Sequence, residues 1–189
     1  MGTESYQGAV GGFVFVYPSS GTIKVKLYAT TKQFPAILYQ VLQEVETEGY
    51  VYREMYCDTH KVNFSAAAEE VAAMFKVRLV PVSSGTPQEV TYAESAVRTI
   101  AAMSRCLMAG APHLPKCCWG LSDKQAAAIH EIMPQTSKGD ISPYEHKTKR
   151  KPDRDALFIR VFGCPTQYEP WEGALHKRNE RAKQNGVNS

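Results

Sequence analysis

The chain has 189 residues, 43% of them hydrophobic and 22% charged, with a formal net charge of +3. That balance suits one folded domain with an appended part and excludes a disordered composition. No apolar run reaches the roughly 18 residues of a membrane span, and no charged segment followed by an apolar stretch opens the N-terminus. A soluble, unsecreted protein is expected. Cys57, Cys106, Cys117, Cys118 and Cys164 form no regular framework, which favours reduced thiols inside a cell. No pair among Cys106, His113, Cys117 and His130 has the spacing usual for zinc ligands.

Residues 12–17 (GFVFVY) and 23–28 (IKVKLY) are β-rich runs separated by Pro18-Ser19-Ser20-Gly21-Thr22, and this turn chemistry predicts an antiparallel hairpin. Over residues 31–48, Phe34, Ile37, Leu38, Val41, Leu42 and Val45 recur at helical spacing, with Gly49 as the stop. Residues 50–57 (YVYREMYC) return to strand chemistry and end at Asp58. Ser65 then caps an alanine-rich helix reaching about Phe75, and residues 77–82 form a short strand.

A polar loop is expected over residues 81–87. From about Val90 a longer helix carries Ala93, Val97, Ile100, Ala101, Ser104 and Leu107 on one side, and Gly110 and Pro112 end it. Residues 119–132 read as a further helix, with Trp119 as a packing anchor at its start. A Pro/Ser/Gly-rich loop, a basic run and a short strand over residues 156–162 complete the order. A hairpin followed by alternating strands and helices predicts an α/β fold, a mixed sheet flanked by helices. The first ten residues are too polar to supply a central strand.

Basic residues gather near the C-terminus, at residues 147–154 and 176–183. Such clusters release counterions from a phosphate backbone, so nucleic acid is an allowed partner; a solvated charged face is the plainer reading.

Asp58 ends a strand and Glu94 lies one turn into a helix, with 35 residues between them. A carboxylate at the C-terminal end of a strand and another on an adjacent helix can converge on one point and hold Mg²⁺ or Mn²⁺ through oxygen. Two surface acids would show the same spacing.

The neighbouring residues give the pair a context. Tyr56-Cys57-Asp58 with Asn63-Phe64-Ser65, then Thr86-Pro87-Gln88 with Ala93-Glu94 and Arg98-Thr99, resemble two blocks of copia-type retrotransposon integrases. Leu114-Pro115-Lys116, Trp119-Gly120, Pro134, Ser142-Pro143-Tyr144-Glu145, Lys151-Pro152 and Arg160-Val161-Phe162-Gly163-Cys164 recur in the same family's order. The resemblance spans nearly the whole chain. It implies a ribonuclease H-like core over residues 1–110 with a smaller extension over 111–189, acting on DNA by divalent-metal-dependent strand transfer. Asp58 and Glu94 would be its catalytic metal ligands. Gln88, Lys147, Lys149, Arg150 and Lys151 would meet the nucleic acid, the four basic residues from a polar loop.

The chain also departs from that family. The family's first Asp, on the strand before the hairpin, would fall near or before Met1, where this sequence offers Thr3 and Glu4. Thr59-His60 replaces Asn-Gly after Asp58, and Val90-Thr91 replaces the Asn-Gly after the glutamine. The sequence therefore reads as a truncated or decayed copy. A second expectation stands beside the enzyme: a non-catalytic module that binds nucleic acid or protein through an inherited fold. Homo-oligomers are allowed, and a nuclear site follows only if the chain acts on chromosomal DNA.

Overall fold

The structure is a computed structural model that describes residues 3–82, 87–153 and 160–164. The chain starts with a tight turn in which Ser5 N–H donates to Ala9 O at 2.8 Å and Ala9 N–H to Ser5 Oγ at 2.8 Å. The antiparallel hairpin follows, β1 (Gly11–Tyr17) pairing with β2 (Thr22–Tyr28) from Gly11 opposite Tyr28 to Tyr17 opposite Thr22. Gly21 makes its turn possible. Its φ is +78°, and a Cβ there would meet Gln135 Oε1 at 2.5 Å. Period-two alternation sends Phe13, Phe15 and Tyr17 to one side of the hairpin and Val14 and Val16 to the other.

α1 (Phe34–Thr47) follows a 3₁₀ turn whose capping box joins Thr30 and Gln33. It buries Phe34, Ile37, Leu38, Val41, Leu42 and Val45, the positions that the helical spacing selects. Its end is closed by Gly49 at φ +79°, with Gly49 N–H donating to Glu46 O and Tyr50 N–H to Val45 O, a Schellman motif. β3 (Glu54–Asp58) and β4 (Arg78–Val82) pair in parallel, Asp58 opposite Val82. Their crossover is α2 (Ala66–Met74), capped by Ser65 as expected. α2 ends in the same motif as α1, but with Lys76 in the left-handed position at φ +57°.

α3 (Pro87–Gly110), α4 (Trp119–Ile132) and α5 (Pro143–Thr148) complete the described helices. One core cluster joins Phe15 to Leu38, Val41, Leu42, Ala68 and Val77, between the strands and the α1–α2 layer. A second joins Ile23 to Ala96, Ile100 and Ala126, so α3 and α4 cover the opposite side of the hairpin. Ser104 and Ser122, both buried, meet at 2.6 Å where these two helices touch. The result is an α/β fold with helices on both sides of mixed strand pairing. Among the described residues that pairing is divided into two two-stranded sheets, β1–β2 and β3–β4.

Four expectations shift. Pro81 and Val82 belong to β4 and Pro87 to α3, so the loop between them is shorter than the polar composition suggests; residues 83–86 lie outside the described set. The buried face of α3 is Ala96, Ile100 and Ser104, with Met103 and Leu107 partly covered, while Val97 is 49% exposed. Lys147 is on α5 and not in a loop, because Ser142 caps a helix that Pro143 begins. Residues 160–162 are not a strand: Gln125 Nε2 holds Arg160 O at 3.1 Å and the chain then turns at Gly163, while 156–159 lie outside the described residues.

Candidate functional site

Parallel pairing puts the C-terminal ends of β3 and β4 side by side, and the crevice beyond such ends is where α/β proteins bind ligands. Asp58 is the last residue of β3 and is exposed. Its Oδ1 accepts the His60 N–H at 2.6 Å, and its carbonyl accepts Asn63 Nδ2 at 3.1 Å. The carboxylate thus stabilises the turn that leaves the strand. His60 is an exposed turn residue.

Glu94 lies exposed on α3, and Gln88 is in the first turn of the same helix. Tyr92 and Ala93, just before Glu94, line one cleft together with Met55 and Tyr56, just before Asp58. The segments that carry the two acids therefore border a common cleft. Glu54 also lines it, held by Arg78 and by Tyr56 Oη at 2.9 Å. The tyrosine and arginine contacts keep this carboxyl below its ordinary range. Among the described residues, no three His, Cys, Asp or Glu side chains converge as a metal site.

The basic residues separate into two environments. Lys147 is only 17% exposed and lies 2.9 Å from Glu48 and 3.7 Å from Glu131. Glu48 also meets Lys24 at 2.9 Å, and Lys24 meets Glu44 at 3.2 Å, so an ion-pair chain ties β2, α1, α4 and α5 together. Lys149, Arg150 and Lys151 lie beyond it and are exposed. Lys149 adopts the left-handed cap of α5 and donates to His146 O at 2.8 Å. The second basic group, 176–183, is outside the described residues.

Sequence reasoning did not find this chain of ion pairs or the cleft. Both arise from elements remote in sequence, and the alternation of Glu44 and Glu48 on α1 was their only local sign.

The chain matches no family model and no curated protein. Solved structures do match. The HTLV-2 integrase catalytic core domain in complex with magnesium, in a trimeric form, aligns at a TM-score of 0.55 and 11% identity, covering 72% of this chain and 92% of that one. The catalytic core domain of BIV integrase gives 0.55 and 15%, over 72% and 84%. A chain of the simian T-cell lymphotropic virus intasome in complex with the PP2A regulatory subunit B56 gamma gives 0.59 and 11%, over 84% of this chain and 51% of that one. At these identities the likeness establishes the fold. It is that of a retroviral integrase catalytic core, ribonuclease H-like.

Proposed function

We propose that this chain is the core of a copia-type retrotransposon integrase, whose activity is divalent-metal-dependent strand transfer on DNA. The observation that carries the reading is the placement of Asp58 and Glu94. On an integrase-core fold, Asp58 ends a parallel strand, and Glu94 follows Tyr92 and Ala93 in sequence, two residues that line the cleft bordered by this strand. Two exposed carboxylates are a hard-oxygen donor set, which suits Mg²⁺ or Mn²⁺. Asp58 and Glu94 would hold the ion. When bound, it supplies an activated oxygen nucleophile and neutralises charge on the leaving oxygen.

The protein's own groups do the positioning. Asp58, held by the His60 amide, presents its carboxylate from a fixed turn. Gln88 at the start of α3 and the exposed Lys149, Arg150 and Lys151 would meet DNA. Lys147 belongs to the same basic run but is already engaged by Glu48 and Glu131. Residues 1–110 would be the core-like part and 111–189 a C-terminal extension. Homo-oligomers and a nuclear site would follow from the same function.

The departures from the family's pattern, Thr59-His60 after Asp58 and Val90-Thr91 after Gln88, support a second reading. This is a non-catalytic module that keeps the fold and binds nucleic acid or protein.

Calorimetric titration with Mn²⁺ at low salt, on the wild type and on Asp58→Asn and Glu94→Gln, tests the metal site. Saturable binding lost in both variants supports the integrase reading. An absence of binding in the wild type leaves the module. DNA binding is read separately, by replacing Lys149, Arg150 and Lys151 with alanine. Each phosphate contact removed should lower the slope of log K against log salt by about 0.9.

A further inference from the structure

Cys117 and Cys118 are adjacent in sequence and lie in the short 3₁₀ turn Lys116–Cys118 that leads into α4. Both are free thiols, Cys118 buried and Cys117 half-buried. The two side chains touch: burial, joined by a hydrogen bond with the Cys117 thiol, pushes the Cys118 thiol up. A small solute therefore meets Cys117 first, with Cys118 held behind it as a protonated thiol.

The peptide that joins the pair carries two contacts. Its carbonyl, Cys117 O, accepts the Tyr6 N–H at 2.8 Å, and its amide, Cys118 N–H, donates to Pro115 O at 3.0 Å and closes the 3₁₀ turn. The next residue adds a tie, Trp119 Nε1 donating to Thr3 O at 2.8 Å. Gly120 lets the same segment approach, since a Cβ there would stand 3.4 Å from Ser5 Cβ. The segment before β1 is thus fastened to the start of α4 through the cysteine pair and the two residues after it.

Geometry links the oxidation state of the pair to these contacts. Disulfide-bonded residues usually have Cα atoms about 4.4–6.8 Å apart, whereas consecutive Cα atoms across a trans peptide are about 3.8 Å apart. A bond between adjacent sulfurs encloses the joining peptide in a small ring. That peptide then has to turn out of its 3₁₀ orientation, and its carbonyl and amide turn with it.

We propose that Cys117 and Cys118 form a two-electron redox site for hydroperoxides, whose oxidation to a disulfide releases the segment before β1 from the start of α4. The Cys117 thiolate attacks a peroxide oxygen, the O–O bond breaks, and the departing oxygen takes up the thiol's proton and leaves as water or alcohol. Cys117 is then a sulfenic acid. The Cys118 sulfur attacks the Cys117 sulfur, the S–O bond breaks, and the hydroxyl leaves as water with the Cys118 proton. The two thiols lose two electrons and two protons, and the peroxide is reduced. Exchange with a reducing dithiol restores the pair. None of these contacts involves Asp58 or Glu94.

The test uses the full chain carrying Cys106→Ser and Cys164→Ser, which removes the two exposed thiols, with hydrogen peroxide as oxidant. Trypsin cuts after Lys116 and Lys124, so both cysteines fall in one peptide, residues 117–124. Peroxide should make that peptide lighter by two hydrogens, and dithiothreitol should restore its mass. Amide exchange at Tyr6, followed by NMR, should quicken about tenfold or more on oxidation and slow again on reduction. In Cys118→Ala, peroxide should stop at a sulfenic acid on Cys117, trapped by dimedone, and leave Tyr6 exchange unchanged.

Reversible loss of two hydrogens together with faster exchange at Tyr6 establishes the site. An unchanged peptide, a gain of oxygen without loss of hydrogens, or a disulfide between two chains would each overturn it. A disulfide within the pair that left Tyr6 exchange unchanged would overturn the release. Where Cys118→Ala does not fold, Cys117→Ser serves instead: faster Tyr6 exchange in peroxide-treated Cys117→Ser would show that the release does not need the pair, against the proposal.

Discussion

Lys147 on α5 and Glu48 at the C-terminal cap of α1 are 2.9 Å apart, joining elements about 100 residues apart in sequence. Burial opposes ionisation of Glu48, but hydrogen bonds from Lys147 and Lys24 outweigh it and hold the carboxyl below the ordinary glutamate range. Stability from this group is present above about pH 4.3, the ordinary glutamate value, and is lost as pH falls through its lower folded value. Glu131, beside the same lysine, has the opposite sign. Its burial raises its pKa, so its contribution is present at low pH and lost as pH rises.

Two variants separate these effects. Glu48→Gln should lower the melting temperature at pH 7 and matter little at pH 3. Glu131→Gln should raise it at pH 7 relative to pH 4, because an amide removes the cost of a buried charge. In a double-mutant cycle Lys147 and Glu48 should couple by about 0.5–1 kcal/mol, the partial exposure of Glu48 keeping the value near that of surface pairs. Melting curves at two pH values that show the same sign for both variants would contradict this assignment.

Cys57 sits 7% exposed on β3, next to Asp58. Burial, with help from the neighbouring carboxylate, pushes its thiol up to about 11. A thiolate is the reactive form, so this cysteine should resist alkylation at pH 8 in the folded chain. Cys106 and Cys164 are exposed and should react first. Timed iodoacetamide labelling with peptide mass mapping reads the order. Labelling of Cys57 should begin only in denaturant.

The local signals in the sequence were those of single elements. The spacing of Phe34 through Val45 defines α1 and its buried face, and Ser65 marks the start of α2, because periodicity and capping are decided within one or two turns. The α3 register was harder to read. Alanine and serine pack as readily as valine against a close neighbour, so Ala96 is buried while Val97 is not. For the candidate site, motifs placed Asp58 at a strand end and Glu94 on a helix, as found. The engagement of Lys147 was invisible, since a basic run says nothing of acids that folding brings from α1 and α4.

The paired ends of α1 and α2 allow a stability test with opposite signs. Both use a left-handed residue after the helix, Gly49 in one and Lys76 in the other. A side chain in that conformation costs energy because Cβ crowds the following carbonyl. Lys76→Gly should therefore stabilise the chain by about 0.5–1 kcal/mol. Gly49→Ala should destabilise it by a similar amount, although a Cβ there meets nothing within 4 Å. Urea unfolding curves with unchanged slopes check both. A destabilising Lys76→Gly would show that the lysine side chain makes a contribution beyond the backbone motif.

Two substitutions separate the two roles available to Asp58. Its Oδ1 accepts the His60 amide at 2.6 Å, and this bond needs an oxygen but no charge. Asp58→Asn preserves that acceptor, and its stability should remain within about 0.5 kcal/mol of the wild type. Asp58→Ala removes the acceptor and should cost about 1 kcal/mol, the usual contribution of one hydrogen bond. Metal binding should follow charge instead and fall in both variants, since a neutral amide is a poorer ligand than a carboxylate for a hard divalent ion. Chemical denaturation and Mn²⁺ calorimetry on the same two proteins give the four values needed. If Asp58→Asn destabilised as much as Asp58→Ala, the negative charge itself would be holding the turn, and loss of Mn²⁺ binding in either variant would no longer identify Asp58 as a ligand.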